Sequence, residues 1–132
     1  MDIAISQAQG SRPVTVFTVT GTVDSATYTQ LEQQARAAHT SGVHDLVLDL
    51  TGVDYVSSAG IRALNTILKL LQTDSPQDSQ EAMSQGLRDG TWKSPHLKIA
   101  GANKYIAEAF KIAGMDMLVE MFPDAASAVA SY

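Results

Sequence analysis

The chain has 132 residues, 45% of them hydrophobic and 17% charged, with a formal net charge of -5 at pH 7 and no cysteine. That length suits one domain with its own core and leaves too little chain for a second. The acidic balance argues against a general nucleic-acid or anionic-membrane surface, which would meet no counter-charge, and the absence of thiols excludes disulfides, thiolate catalysis and cysteine-ligated metals.

The first residues, Met1 to Ser6, lack the basic start and long apolar stretch of a signal peptide. No later segment stays apolar long enough to span a bilayer, so the sequence reads as a soluble, cytoplasmic protein without membrane insertion. Asp2 to Ala8 alternates imperfectly, Gly10-Ser11-Arg12-Pro13 interrupts it, and Val14, Val16, Phe17 and Val19 resume a β-rich run ending at Gly21. This pattern predicts two strands joined by a turn. Asp24 or Ser25 is the expected cap of a helix whose apolar positions, Tyr28, Leu31, Ala35 and Ala38, advance by three or four residues until Ser41-Gly42 stops it.

Leu46 to Leu50 is apolar on both alternating faces except at Asp49, which suits a strand covered on both sides. Gly52 is expected to break it. After Tyr55-Val56, Ser57-Ser58 precedes a helical pattern at Ile61, Leu64, Leu68 and Leu71, so one serine is the expected N-cap, its hydroxyl facing the open amides of the helix. Leu97 to Ala100 reads as a further strand, Gly101-Ala102-Asn103 as a turn, and Ile106, Ala109, Phe110 and Ala113 as one face of a helix stopped by Gly114. Leu118 to Phe122 is a candidate last strand. Pro123-Asp124 is expected to open a final helix through Val129, with the proline in its first turn. Strands alternating with helices predict an α/β layer structure with right-handed crossovers and a partly parallel sheet.

The polar stretch from Thr73 to Pro95 is long for a connection between packed elements. Its bland reading is a surface insertion. Its sharper reading is a partner-selecting lid, with capping-box spacing at Asp78 and Glu81 and apolar anchors at Met83, Leu87 and Trp92.

The strand-to-helix turn resembles that of the anti-sigma factor antagonists, or STAS domains, which carry an Asp-Ser-Ser/Thr-Gly segment there. Here the segment reads Ser57-Ser58-Ala59-Gly60. Gly21-Thr22-Val23-Asp24 stands where the family has a Gly-x-Leu-Asp turn, and Gly114-Met115-Asp116 with Met121-Phe122-Pro123 extends the match over nearly the whole chain. The resemblance implies a single-domain α/β fold over residues 1–132, with a mixed, mostly parallel sheet of about four to five strands packed with about four helices; the stretch at about 73–95 is an addition to it. It also implies a binding partner: an anti-sigma factor that is itself a serine kinase, released when the hydroxyl directly before the glycine is phosphorylated.

In this chain that place is Ala59, which takes no phosphate, and Ser57 replaces the acidic residue of the family. Ser58, one position earlier, becomes the first candidate acceptor and Ser57 the second. A phosphate there would meet free backbone amides and the positive end of the helix dipole, and its charge of roughly -1.5 to -2 would act mainly on the partner. Asp24 matches the acidic residue that the resemblance places beside this turn and in contact with the partner; its alternative role is a helix cap. Asp54 and Asp49 are expected near the same edge, since loops at the carboxyl ends of parallel strands cluster. Asp49 is either exposed at the strand's carboxyl end or held by backbone donors of the following turn, with a structural role the favoured one. The expected partner surface is Asp24, Ser25, Tyr55, Ser57, Ser58, Ala59, Gly60, Ile61 and Arg62, with core packing the competing role for Ile61 and a solvated position for Arg62.

Nothing in the sequence marks an enzyme. His39, His44 and His96 are scattered, without metal-ligand spacing, and are expected at the surface. No Gly-x-Ser-x-Gly elbow surrounds the turn serines and no phosphate-binding Gly-x-x-x-x-Gly-Lys-Ser/Thr run occurs, so no cofactor or metal is expected. Two readings stand: a phosphorylation-switched binding module, and a scaffold subunit of a signalling or transport complex that uses the same surface constitutively. The sequence leaves the oligomeric state open.

Overall fold

A computed structural model describes residues 1–72, 94 and 96–132; the lid features at Asp78, Glu81, Met83, Leu87 and Trp92 lie outside them. The N-terminal segment forms β1 (Asp2–Gln9) and β2 (Pro13–Val23), antiparallel to each other. Helix α1 (Tyr28–Thr40) leads to β3 (Leu46–Val56), α2 (Ser58–Gln72), β4 (Leu97–Ala100) and α3 (Lys104–Ala113), and a turn of 3-10 helix at Met115–Met117 precedes β5 (Glu120–Phe122) and α4 (Ala125–Ala130). The five strands form one sheet in the order β1-β2-β3-β4-β5, with every pairing after the first parallel. Among the described residues this is the expected α/β architecture, with four helices and a mixed, mostly parallel sheet.

The alternation in β3 explains how the sheet is covered. Leu46, Leu48 and Leu50 face the main core, with Leu31 of α1, Leu64, Ile67, Leu68 and Leu71 of α2, and Ile106 and Phe110 of α3. Val47 faces the other way and joins Val14, Val16 and Ala100 beneath Ala128 and Val129 of α4. Among the described residues, three helices therefore cover one face and one short helix covers part of the other. Asp49 follows Val47 onto the α4 face, where it lines a cavity with Val16, Thr18 and Ala126, away from the serine turn. Its carboxylate is held from within β3 rather than by a following turn: the Thr51 N–H (3.0 Å) and hydroxyl (2.6 Å) both reach Oδ1.

Several boundaries differ from the sequence expectation. β3 does not break at Gly52 but continues to Val56, and β2 runs past Gly21 to Val23. The register between them shifts at Thr18/Thr20 and at Gly21/Thr22, and Gly52 lies where a Cβ would come within 2.6 Å of Thr20 Cγ2. Glycine there keeps two strands in contact through an irregularity rather than ending one. The N-cap of α1 is Thr27, not Asp24 or Ser25. Pro123 stays outside α4, whose cap is Asp124, its carboxylate accepting from the Ser127 N–H at 2.8 Å. The last strand is shorter than Leu118 to Phe122, because Leu118 closes the 3-10 turn. Gly114, at φ 79°, ends α3 as expected.

His96 is not a surface residue. Its side chain is largely covered and its Nδ1 lies 3.1 Å from Oδ1 of Asp45, a buried carboxylate that also meets Arg12 Nε at 2.7 Å. Tyr132 closes the same end of the sheet: its hydroxyl lies within hydrogen-bonding distance of the Leu46 (2.6 Å) and His96 (2.8 Å) carbonyls, and burial raises its pKa well above that of an exposed phenol. Under its ring sits Lys98, buried, donating to Ser131 Oγ at 2.7 Å. Ser94, also buried, fixes the approach to β4 by donating its N–H to the Leu118 carbonyl at 2.8 Å and accepting from the amides of His96 and Leu97.

Candidate functional site

The carboxyl ends of β2, β3 and β4 come out on one edge of the parallel sheet, so the three following segments meet there. After β2, residues Asp24 to Thr27 form a tight turn. Asp24 Oδ1 accepts from the Ala26 N–H (2.9 Å), and the Asp24 carbonyl accepts from Thr27 (3.2 Å) and Tyr28 (2.9 Å). Thr27 Oγ1 accepts from the Asp24 N–H (2.9 Å) and donates to the Thr22 carbonyl (2.8 Å). The acidic side chain thus does cap backbone donors, in the turn ahead of the helix rather than at its first residue. Ser25 is exposed at the tip.

After β3 the chain enters α2 without a loop. The Ser57 N–H donates to the Val23 carbonyl at 2.8 Å, tying the turn to the end of β2. Ser57 Oγ accepts from the Gly60 N–H at 3.3 Å and the Ser57 carbonyl accepts from Ile61 at 2.9 Å, the geometry of an N-cap. Ser58 is the first helical residue and is exposed, whereas Ala59 and Gly60 are buried. A Cβ on Gly60 would meet the Val23 carbonyl oxygen and Val56 Cγ1 at 2.8 Å and Val23 Cγ1 at 2.9 Å. Glycine is required because this turn of helix rests directly on the strand ends. Ile61 packs against the main core while Arg62 is exposed.

Thr22 Oγ1 donates to Asp54 Oδ1 at 2.9 Å, linking β2 to β3 beside the turn. Tyr55 leaves its ring 57% exposed at the same edge. After β4, Gly101 at φ 68° turns the chain, and Asn103 caps α3 by accepting from the Ile106 N–H at 2.9 Å. The same side chain donates from Nδ2 toward the Val53 (3.3 Å) and Asp54 (3.4 Å) carbonyls. Tyr105, in the first turn of α3, is 80% exposed.

Of the residues expected at the site, the structure brings Asp24, Ser25, Tyr55, Ser57, Ser58 and Arg62 to accessible positions in these segments. Ala59, Gly60 and Ile61 are placed beneath, as support. Thr22, named only within the Gly21-Thr22-Val23-Asp24 match, and Asn103, named only as part of a turn, were not expected at the site, and Tyr105 was not named at all. Asn103 carries the one signal that points to it, a capping residue three positions before Ile106. Among the described residues no three histidine, aspartate or glutamate side chains are grouped to hold a metal, and no helix is long and apolar enough to cross a membrane. The edge offers hydroxyls, two carboxylates and two exposed tyrosines on a braced surface, a composition suited to docking.

No curated protein sequence matches the chain. Solved structures do. A candidate anti-sigma factor antagonist from Thermotoga maritima superposes with a TM-score of 0.74 at 11% identity, over 98% of this chain and 92% of its own. The Bacillus cell-fate determinant SpoIIAA in its phosphorylated form gives 0.63 at 12% identity, over 97% and 98%. Part of the murine anion transporter Slc26a9 gives 0.62 at 17% identity, over 88% of this chain but 17% of the transporter. At these identities the likeness carries the fold alone. The sequence itself matches the model of the STAS domain across residues 6–75, a span that runs from β1 through α2 and contains the whole serine turn; the chain belongs to the STAS domain family.

Proposed function

We propose that the chain is a regulatory protein-binding module of the anti-sigma factor antagonist type, whose docking surface is the edge formed by Asp24, Ser25, Tyr55, Ser57, Ser58 and Arg62. Its partner is an anti-sigma factor that is also a serine kinase, and phosphate on Ser58 ends the complex. The observation that carries this reading is the placement of Ser58: it is the exposed hydroxyl on the first residue of α2, beside a buried Ala59 at the position where the family resemblance implies the acceptor. Ser57 is engaged with the Gly60 N–H, which makes it the weaker candidate. A phosphate on Ser58 stands at the positive end of a helix running to Gln72. It adds charge to an edge that already carries Asp24 and Asp54, so an acidic partner group meets repulsion in place of a hydroxyl. The phosphorylated SpoIIAA among the structural neighbours supports the same direction of reasoning. The chemistry proposed for the chain is binding; the kinase supplies the catalysis.

The second reading, a scaffold without a phosphate switch, is favoured by Ala59 itself and by the likeness to a segment of an anion transporter. Two measurements separate them. Phosphosite mapping of the protein from its own cells should find phosphate on Ser58 that changes with growth condition. Ser58→Asp should weaken binding to the kinase about tenfold or more, while Ser58→Ala leaves it close to wild type. Absence of phosphate in every condition together with unchanged binding by Ser58→Asp removes the switch and leaves the scaffold.

A further inference from the structure

Strand β1 lies at one edge of the sheet, and among the described residues nothing pairs with its outer side. Proteins ordinarily blunt such an edge with lysine, proline, a bulge or a very short strand. The opposite edge is short, since β5 has three residues. β1 has eight, and its pairing with β2 runs unbroken from Asp2↔Thr20 to Gln9↔Pro13. It contains no proline or lysine, and no charge follows Asp2 until Arg12. Ile5, at its middle, is 49% exposed, although it lies on the same side of the strand as Ile3, which packs against the main core.

We propose that β1 is a self-association surface, on which a second copy of this chain adds its own β1 antiparallel and joins two five-stranded sheets across a two-fold axis. The occupant follows from charge and symmetry. Each copy carries a net charge of -5, so most approaches set acidic surface against acidic surface. The uncharged stretch from Ile3 to Ser11 is a place where two copies meet without a like-charge contact. On a two-fold centred at Ile5, the two half-exposed isoleucines face each other, Ala4 faces Ser6, Ile3 faces Gln7 and Asp2 faces Ala8. Antiparallel partners then share a face of the pleat, and the outward backbone groups of both strands find acceptors and donors. A single strand pair buries less than the ~1,200 Å² typical of stable complexes, so the dimer is weak and reversible.

Sedimentation equilibrium of the full chain, taken up to about 1 mM, should show the weight-average mass rising from 14.0 kDa toward twice that value. Between 0.05 and about 0.5 M salt the association should strengthen, because screening removes the repulsion between two acidic bodies. Ile5→Lys, which sets two ammonium groups opposite each other, should weaken dimerisation at least about tenfold, and Ile5→Val should leave it nearly unchanged. Independently of any variant, the outward amides of β1 should gain hydrogen-exchange protection as concentration rises. A mass that stays at the monomer value throughout, a dimer indifferent to Ile5→Lys, or β1 amides whose protection does not change with concentration overturns the proposal.

Discussion

Replacing Gly60 by alanine sets two effects of opposite sign against each other. An alanine inside a helix is favoured over glycine by about 1 kcal/mol, so propensity alone predicts a more stable protein. The added Cβ, however, would lie 2.8 Å from the Val23 carbonyl oxygen and from Val56 Cγ1, and 2.9 Å from Val23 Cγ1. Val23 and Val56 are buried and β-branched, with little rotameric freedom to retreat. The carbonyl is backbone and holds the Ser57 N–H at 2.8 Å, so moving it lengthens the bond that ties the turn to β2. Overpacking of this kind costs about 1–3 kcal/mol, and weakening the bond adds about 0.5–1 kcal/mol. The net expectation is a loss of about 2 kcal/mol, or a fall in Tm of roughly 8 °C for a chain of this size. Calorimetry and urea unfolding at constant m-value measure it. A Tm equal to or above that of wild type would show that the helix does not rest on the strand ends as described.

Three further outcomes follow from the same geometry. Asn103→Ala removes the cap of α3 and both donations to β3 and should destabilise by about 1–2 kcal/mol, read from urea midpoints, with faster exchange of the Ile106 amide. Gly101→Ala forces an L-residue to φ 68° and drives a Cβ to 2.1 Å from Thr51 Oγ1, so it should cost more than Gly60→Ala and lower the yield of folded protein. Asp124 has its pKa held below 3.8 by the backbone and side-chain hydrogen bonds of Ser127. A lowered folded pKa means a contribution fully present above 3.8 and lost as pH falls through the lower folded value. Asp124→Ala should therefore lower stability by a constant amount above about pH 4 and converge with wild type as pH falls further, read from urea midpoints across pH.

Much of this fold is legible in the sequence because its signals are local. Periodicities of two and three to four residues set the strands and helices, and the Ser57 cap and Gly114 stop fall where capping chemistry puts them. The places that escaped reading are set by contacts distant in sequence. Gly52 looks like a breaker until Thr20 is seen pressed against it across the strand pair. Asp24 looks like a helix cap until the Thr27 hydroxyl is seen taking up the turn. His96 looks like an exposed residue at an element end until Asp45, far back in the chain, is found against it. At the site, the sequence singled out the serines and Asp24, but the braces, Thr22 to Asp54 and Asn103 to β3, depend on which strands are neighbours. Tyr105 gives no sequence signal, since one aromatic in a helix reads as core unless the surrounding packing is known.

The density of hydrogen bonds in the turn from Asp24 to Thr27, and the direct junction of β3 with α2, bear on the thermodynamics of recognition. Association ordinarily consumes free energy in freezing loops and side chains at the contact. At the proposed docking edge the backbone is already hydrogen-bonded within the chain, leaving Tyr55, Arg62 and a few short side chains to lose freedom on binding. Affinity among related partners should then vary mainly through how long a complex lasts rather than how fast it forms. Calorimetry should find that the ordering entropy of complex formation arises on the partner's side of the interface.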